Sequence, residues 1–419
     1  MKYIQFTLIL LCSVYFKNSL ANTFEESYNS PIKSIQEFGV LPSNDGATNA
    51  INLQKAIDWA ANNGSELYVE PSQEPYEVKS GILLKKNVSL VGAQGATARG
   101  TKHPSKNAPV GSVFKIVDQE HPFITVESAT KIAGIQFWYA NQELKDSSKV
   151  IKYPPTIQVS KTSNTEGLTL AYLNFYGEYM AMDFNASASK PCESILIQHC
   201  YGYPLGGEFI RIDYCYDIPR ILHTHVNPAN IRQIGLSLSK QVIDAVVNKG
   251  TFTFAINHTD NAQLIDLFTF AAHGGIYLGS ESYGQLTNFN LDCVRVGIHK
   301  IGNNTFNRNW QIAQGSIIAN AGTNIEDIHP IIIEGQGHTA ITNVEAFSGD
   351  NSALTNIKSS KDFLLIRGDK KLTVSLVGCR MRNYIKEDPI TINNPLAKVS
   401  VVSCVDKNEE FINELRAGK

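Results

Sequence analysis

The sequence predicts an all-β protein: a single-stranded parallel β-helix with a short capping helix at its N-terminal end. Three observations predict it. One amphipathic helical segment stands near the start, ten strand-like triplets follow it, and a second strand-like series interleaves with those triplets in constant order.

Lys2 precedes an apolar stretch over residues 3–16, and Ser19-Leu20-Ala21 follows as a small-x-small pattern. This reads as a secretory signal over residues 1–21 and predicts an exported protein, secreted or periplasmic. The apolar run falls short of the ~20 residues that span a bilayer, so no membrane span is expected after cleavage.

In residues 49–62, Ala50, Leu53, Ile57, Ala60 and Ala61 recur at helical spacing, with Thr48 placed to cap the start and Gly64 the end. That segment is the capping helix, within an N-terminal segment expected over residues 22–80. Beyond Leu67-Tyr68-Val69-Glu70 and the stretch GILLKKNVSLVG, the pattern becomes short strand, turn, short strand. The triplets begin at Ile124, Ile157, Met182, Ile210, Phe254, Ile276, Ile298, Ile331, Leu364 and Ile390, separated by 22–33 residues except for one step of 44. The second series runs from GIQFWYA through LAYLNFYG, ILIQHCYG, RILHTHVNP and LIDLFTFAA to SVVSCVDKN. Steps of this length without helical period fit stacked coils ~4.8 Å apart, none of which buries a core alone. A β-propeller is the alternative architecture, and its blades need ~40–45 residues each. The coils are expected over residues 81–405, with a tail over 406–419.

Charge says little about partners. Lys and Arg total 37 against 39 Asp and Glu, with no long run of either sign, which excludes an evident nucleic-acid surface. Beyond the leader stand Cys192, Cys200, Cys215, Cys293, Cys379 and Cys404. Six cysteines permit disulfides but are too sparse for a disulfide-built scaffold, and the absence of Cys-x-x-Cys argues against a zinc site. Cys379 and Cys404 share a slot in adjacent coils and are expected to stack inward.

The segment FGVLPSNDGATNAINLQKAIDWAANNGSELYVEPSQEPYEV resembles the opening signature of the pectate lyase superfamily, also called glycosyl hydrolase family 28-related proteins. Phe38, Gly39, Asp45, Gly46, Thr48, Pro71 and Tyr76 carry the resemblance. It implies a right-handed, pectin lyase-like β-helix. It does not select a reaction, because the family includes hydrolases, lyases, epimerases and phage depolymerases.

Stacking the coils by their triplets places two ladders on one outer face: Gln158, Asp183, Arg211, Ala255, Tyr277, and beside it Ser160, Asn185, Asp213, Asn257, Gly279. Asp183 is expected next to Arg211, and Asp213 between two asparagines. Such a patch supplies the two carboxyl groups that glycosidic cleavage needs. Asp183, Asp213 and Asp217 are the expected acid/base set, with Arg211, Arg220, His223, Asn257, Asp260, Tyr277 and Trp138 as substrate-binding residues; Tyr139 and Trp310 are further candidates for stacking on sugars. His225 is expected in the core. His273, in AAHGGIYLGS, resembles a polygalacturonase stretch but lacks its first glycine; Gly274 and Gly275 read as turn residues. Clustered aspartates for calcium are missing, and neither a metal nor another cofactor is expected. The 44-residue step contains ANIRQIGLSLSKQVIDAVVNKG, helical in its later half, and it leaves beside the patch; loops at 93–111, 140–155 and 302–328 are further candidate walls. An exported glycoside hydrolase acting on an extended polysaccharide is the leading expectation. The alternatives are a lyase acting on a uronic-acid polymer, with Arg220, His223 or a lysine abstracting the proton, and a carbohydrate-binding β-helix without chemistry. The sequence leaves the oligomeric state open.

Overall fold

A computed structural model describes residues 32–93, 101–302, 309–347 and 353–418. The leader expected at 1–21 lies outside them, as do parts of the loops at 93–111 and 302–328. No described helix is long and apolar enough to cross a membrane.

Eleven short parallel strands, from Ile82–Leu84 to Ile390–Asn393, stack into the first sheet among the described residues. Every triplet read from the sequence pairs with the next in the expected register: Ile124 with Ile157, Ile157 with Met182, Met182 with Ile210, Ile210 with Phe254, and so on to Leu364 with Ile390. The strand Ile82–Leu84 adds a coil beneath them, paired to Ile124–Val126. Apolar residues alternate inward, as in Ile210 and Ile212, both fully buried.

Apart from a two-stranded antiparallel pair, Thr101–Lys102 with Pro109–Val110, the other described strands form a second sheet of 21, bent lengthwise along a column of left-handed residues. In one coil Thr165–Ala171 and Asn174–Tyr176 flank Tyr172; three coils later Ala262–Phe270 runs through the bend at Asp266 without a break. The column reads Gly134, Tyr172, His199, His223, Asp266, Asn288, Gln314, Asn343, Gly378 and Ser403, with φ between 48° and 67°. Asn, Asp and His tolerate this conformation better than other side chains, and they hold half the column. The bend turns the chain at a sharp corner and leaves each of these side chains pointing out.

Helix α1, Gly46–Asn63, closes the N-terminal end. It begins three residues earlier than its apolar spacing implied: Asp45, not Thr48, is the N-cap, and its carboxylate accepts from the backbone N–H groups of Ala47 and Thr48. Gly64 ends it at φ 60°, as expected. Leu53, Ala56, Ile57 and Ala60 are buried, whereas Ala50 and Ala61 only border the core. At the opposite end Phe411–Ala417 folds back antiparallel on Ala397–Val405, so the tail closes the stack with a strand.

Phe114, Phe137, Phe175 and Phe209 pack ring against ring along the interior. All six described cysteines are buried and none is in a disulfide, and Cys379 and Cys404 stack inward in adjacent coils. Trp310 is a correction to the sugar-stacking expectation: it is fully buried, with Nε1 donating to the Ser282 carbonyl. Tyr139 is likewise interior, bonded through its hydroxyl to Thr156.

The 44-residue step holds a 3-10 segment, Pro228–Ile234, and helix α2, Lys240–Val247. Ile231 and Ile234 pack on Trp138 and Tyr176, while Ile243 and Val247 cover Ala271, Cys293 and Ile318. The insertion lies on the second sheet and returns to the first through Gly250, Thr251 and Phe252. Lys145 bonds to Ser237, and Lys145 O accepts from Ser239, so the loop at 140–155 braces the insertion.

Candidate functional site

Because the strands of the first sheet are in register, their alternate residues point out together. Asn185, Glu208, Arg211, Asp213, Ala255, Asn257, Tyr277 and His299, with Gly250–Phe252 from the insertion, line a groove of about 520 Å³. Asp183 lies beneath Arg211 and is 6% exposed. Its two oxygens accept from Arg211 Nε at 3.0 Å and Nη2 at 2.9 Å, and Oδ1 also accepts from the Asn185 backbone at 3.0 Å. That fork-to-fork geometry fixes the guanidinium plane across two coils.

Glu208 stands at the turn before the Arg211 strand, with Oε2 3.8 Å from Arg211 Nη1 and its side chain 25% exposed. Burial raises its pKa above the usual glutamate value, Arg211 works against that rise, and Asp183 adds to it. The turn is set from inside the coil. Glu178, fully buried, accepts the Tyr203 N–H at 2.6 Å. Gly202 leaves the room, because a Cβ there would come within 2.4 Å of Glu178 Oε1 and 2.5 Å of the Phe209 ring.

Asp213 shares a 2.7 Å hydrogen bond with His258 Nδ1, and the His258 ring stacks flat on Tyr214 at 4.2 Å. Asn185 is its register neighbour as expected, but the histidine, not an amide, is its bonded partner. Beyond it Phe252, Tyr277 and His299 form an aromatic wall with centroids 5.5–5.9 Å apart. Gly274 is strand, not turn: the Phe252 ring lies where a Cβ at 274 would stand, 2.1 Å away. His299 Nε2 bonds Glu334 at 2.5 Å; this bond chiefly, helped by Arg367, brings the Glu334 pKa down to about 2 against the opposing effect of burial.

The structure brings together Asp183, Arg211, Asp213, Asn257 and Tyr277. It places the other candidates elsewhere. Asp217 is exposed on a turn, accepting from Ser194 Oγ at 2.6 Å. Arg220 starts a strand of the second sheet and donates to Ile218 O at 3.2 Å. His223 belongs to the left-handed corner column, stacked on His199 and bonded to Asp266 at 2.7 Å. Asp260 is exposed and bonded to Tyr283, and Trp138 packs under the insertion. His225 is a correction: Thr224 and Val226 point inward, so His225 points out and stacks on Phe268. His273 bonds Val247 O at 3.2 Å behind Phe252, and burial lowers its pKa.

Sequence reasoning missed Glu208, Phe252 and His299. Glu208 sits in a turn, where no alternation marks the facing direction; the signal was its place two residues before a triplet whose Arg211 was already assigned outward.

No protein-family model matches the chain, and no curated protein matches it in sequence. Solved structures do match in shape. A mutant DFA-IIIase from Arthrobacter chlorophenolicus A6 superposes with a TM-score of 0.53 at 12% identity, covering 91% of this chain and 96% of that one. The same enzyme without its lid, in complex with GF2, gives 0.51 at 10% identity over 92% and 97%. The enzymatically active domain of bacteriophage CBA120 tailspike protein 2 gives 0.51 at 13% identity, with 83% of this chain spanning 48% of that one. At these identities the likeness speaks to fold, and together with the in-register coils it identifies the chain as a right-handed parallel β-helix of the pectin lyase-like fold.

Proposed function

We propose that the chain is a glycoside hydrolase that cleaves an extended glycan lying along the first sheet. The observation that carries this reading is the pairing, in one groove, of a partly buried carboxyl group with a raised pKa, Glu208, and a second carboxyl group, Asp213, held by His258. Glycosidic cleavage needs those two states side by side. Glu208 donates its proton to the leaving oxygen as the C–O bond breaks; Asp213 serves the opposite side of the anomeric carbon. Asp183 holds Arg211, and Arg211 positions Glu208. Tyr277 and Phe252 offer ring faces to the sugar, and Asn257, seated over the bare backbone of Gly279, offers an amide. Structures of similar fold include DFA-IIIase in complex with GF2, which supports a carbohydrate substrate, and an enzymatically active tailspike domain, which supports an enzyme on this fold.

Among the described residues Arg211 is the one Lys or Arg side chain lining the groove, and it is engaged by Asp183 and Glu208. A polyuronate would find no unengaged guanidinium or ammonium group among the lining residues, and this favours hydrolysis of a neutral chain over elimination. The test is product analysis on a panel of neutral and uronic polysaccharides. New reducing ends without the ultraviolet absorbance of an unsaturated uronate are expected; that absorbance accompanying the new ends would overturn hydrolysis in favour of elimination, and no new ends on any polymer would overturn catalysis.

A further inference from the structure

On the second sheet, just past the left-handed corner, one outward column runs Tyr201, His225, Phe268, Asn290, Ser316, Glu345 in successive coils, each paired in register with the next. Its first three members are rings. Tyr201 and His225 lie 5.9 Å apart, and His225 stacks on Phe268 at 4.2 Å and 10°. Then the side chains shrink to Asn290 and Ser316 before Glu345 restores the bulk. The drop in size leaves a notch of about 550 Å³ that lies on a different sheet from the proposed catalytic groove.

Each wall of the notch has a distinct chemistry. One face of the Phe268 ring is covered by His225; the coil on its other side carries only Asn290, so the second face borders the notch. The opposite wall is Glu345, held by Arg382 and by Arg380 Nη1 at 3.9 Å, both to Oε1. On the floor the buried amide oxygen of Asn290 accepts no hydrogen bond from any described residue. Gly315 keeps the floor low, because the Phe289 ring lies 2.1 Å from where a Cβ at 315 would stand. The corner column supplies the long side with Asp266, Asn288, Gln314 and Asn343.

We propose that this notch is a second glycan-binding site, taking a neutral sugar ring of the polymer. An aromatic face beside convergent amide, hydroxyl and carboxylate groups matches a pyranose, whose C–H face lies on Phe268 while its hydroxyls donate to Asn290 Oδ1 and Glu345 and accept from Ser316. Asp266 and Glu345 put carboxylates on its rim, and among the described lining residues there is no lysine or arginine to pair with an anionic sugar, so a neutral ring is favoured. The site holds a glycan independently of cleavage, and a polymer engaging both sheets binds more tightly than either site allows alone.

Affinity electrophoresis through gels containing dextran, galactomannan or xyloglucan, with polygalacturonate as the anionic comparison, tests the site. The parent is expected to be retarded by at least one neutral polymer. Phe268→Ala removes the platform, and Ser316→Trp fills the notch by adding outward atoms alone, which keeps the test sound where the first variant folds poorly. Each is expected to weaken retardation about tenfold, the equivalent of about 1.4 kcal/mol. Either of two results would overturn the proposal: retardation untouched by Ser316→Trp, or a parent retarded by polygalacturonate alone or by no polymer.

Discussion

Glu178 makes the protein's stability fall as pH rises. Burial pushes its pKa from the ordinary 4.5 to about 8, and its Oε2 accepts no hydrogen bond from any described residue. Between those values the folded state holds a proton that the unfolded chain has released. The stability tied to that proton is fully present below about pH 4.5 and is lost progressively up to about pH 8. At about 1.4 kcal/mol per pH unit the whole interval comes to about 5 kcal/mol, and local opening of the 203–209 turn relieves part of it, leaving an expected loss of about 2–5 kcal/mol. Glu178→Gln removes the titration but keeps an acceptor for the Tyr203 N–H. Urea unfolding at pH 5 and pH 9 reads the difference: the parent is expected to lose that stability relative to the variant, which becomes the more stable of the two at pH 9. Parallel pH dependences in parent and variant would refute the argument. The same titration acts on the site, because the turn that Glu178 anchors presents Glu208.

Ile212 is fully buried between Phe184 and Ile256 in register, so Ile212→Asp is expected to cost more than about 4 kcal/mol and abolish cooperative melting; a parent-like melting curve would remove Ile212 from the core. The six described cysteines are buried and none of them is in a disulfide, so alkylation is expected only after denaturation and then at all six. Mass spectrometry showing Cys379 or Cys404 linked to Cys192 or Cys215 would contradict the coil register.

The register was legible because a coil's inward residues must be apolar at fixed alternation, and a slip of one residue would turn Ile210 and Ile212 outward together. The same alternation marks Arg211, Asp213 and Asn257 as outward-facing in the sequence alone. It did not extend to turns. Glu208 and Asp217 both lie near the Arg211 strand, yet one enters the groove and the other leaves it, decided by the Glu178–Tyr203 contact on one side and by the left-handed Asp217 and Ile218 on the other. His225 was misplaced because the corner shifts the facing direction by one residue, with His223 in the left-handed conformation just before it. Aromatic size alone was no guide either: Trp310 fills the core, whereas Tyr277 and Phe252 line the groove.

The proposed hydrolysis rests on two carboxyl groups of one groove acting as a pair. Its most direct test is turnover of a responsive neutral polysaccharide by Asp213→Asn and Glu208→Gln, each with its melting curve. Both side chains face outward, and neither change alters volume appreciably. The expected result is a rate loss of about 10²–10⁴ in each variant at an unchanged melting temperature, with the alkaline limb of the parent's pH profile lying above the ordinary glutamate range because of Glu208. Full activity in either folded variant would contradict the assignment of this groove as the active site.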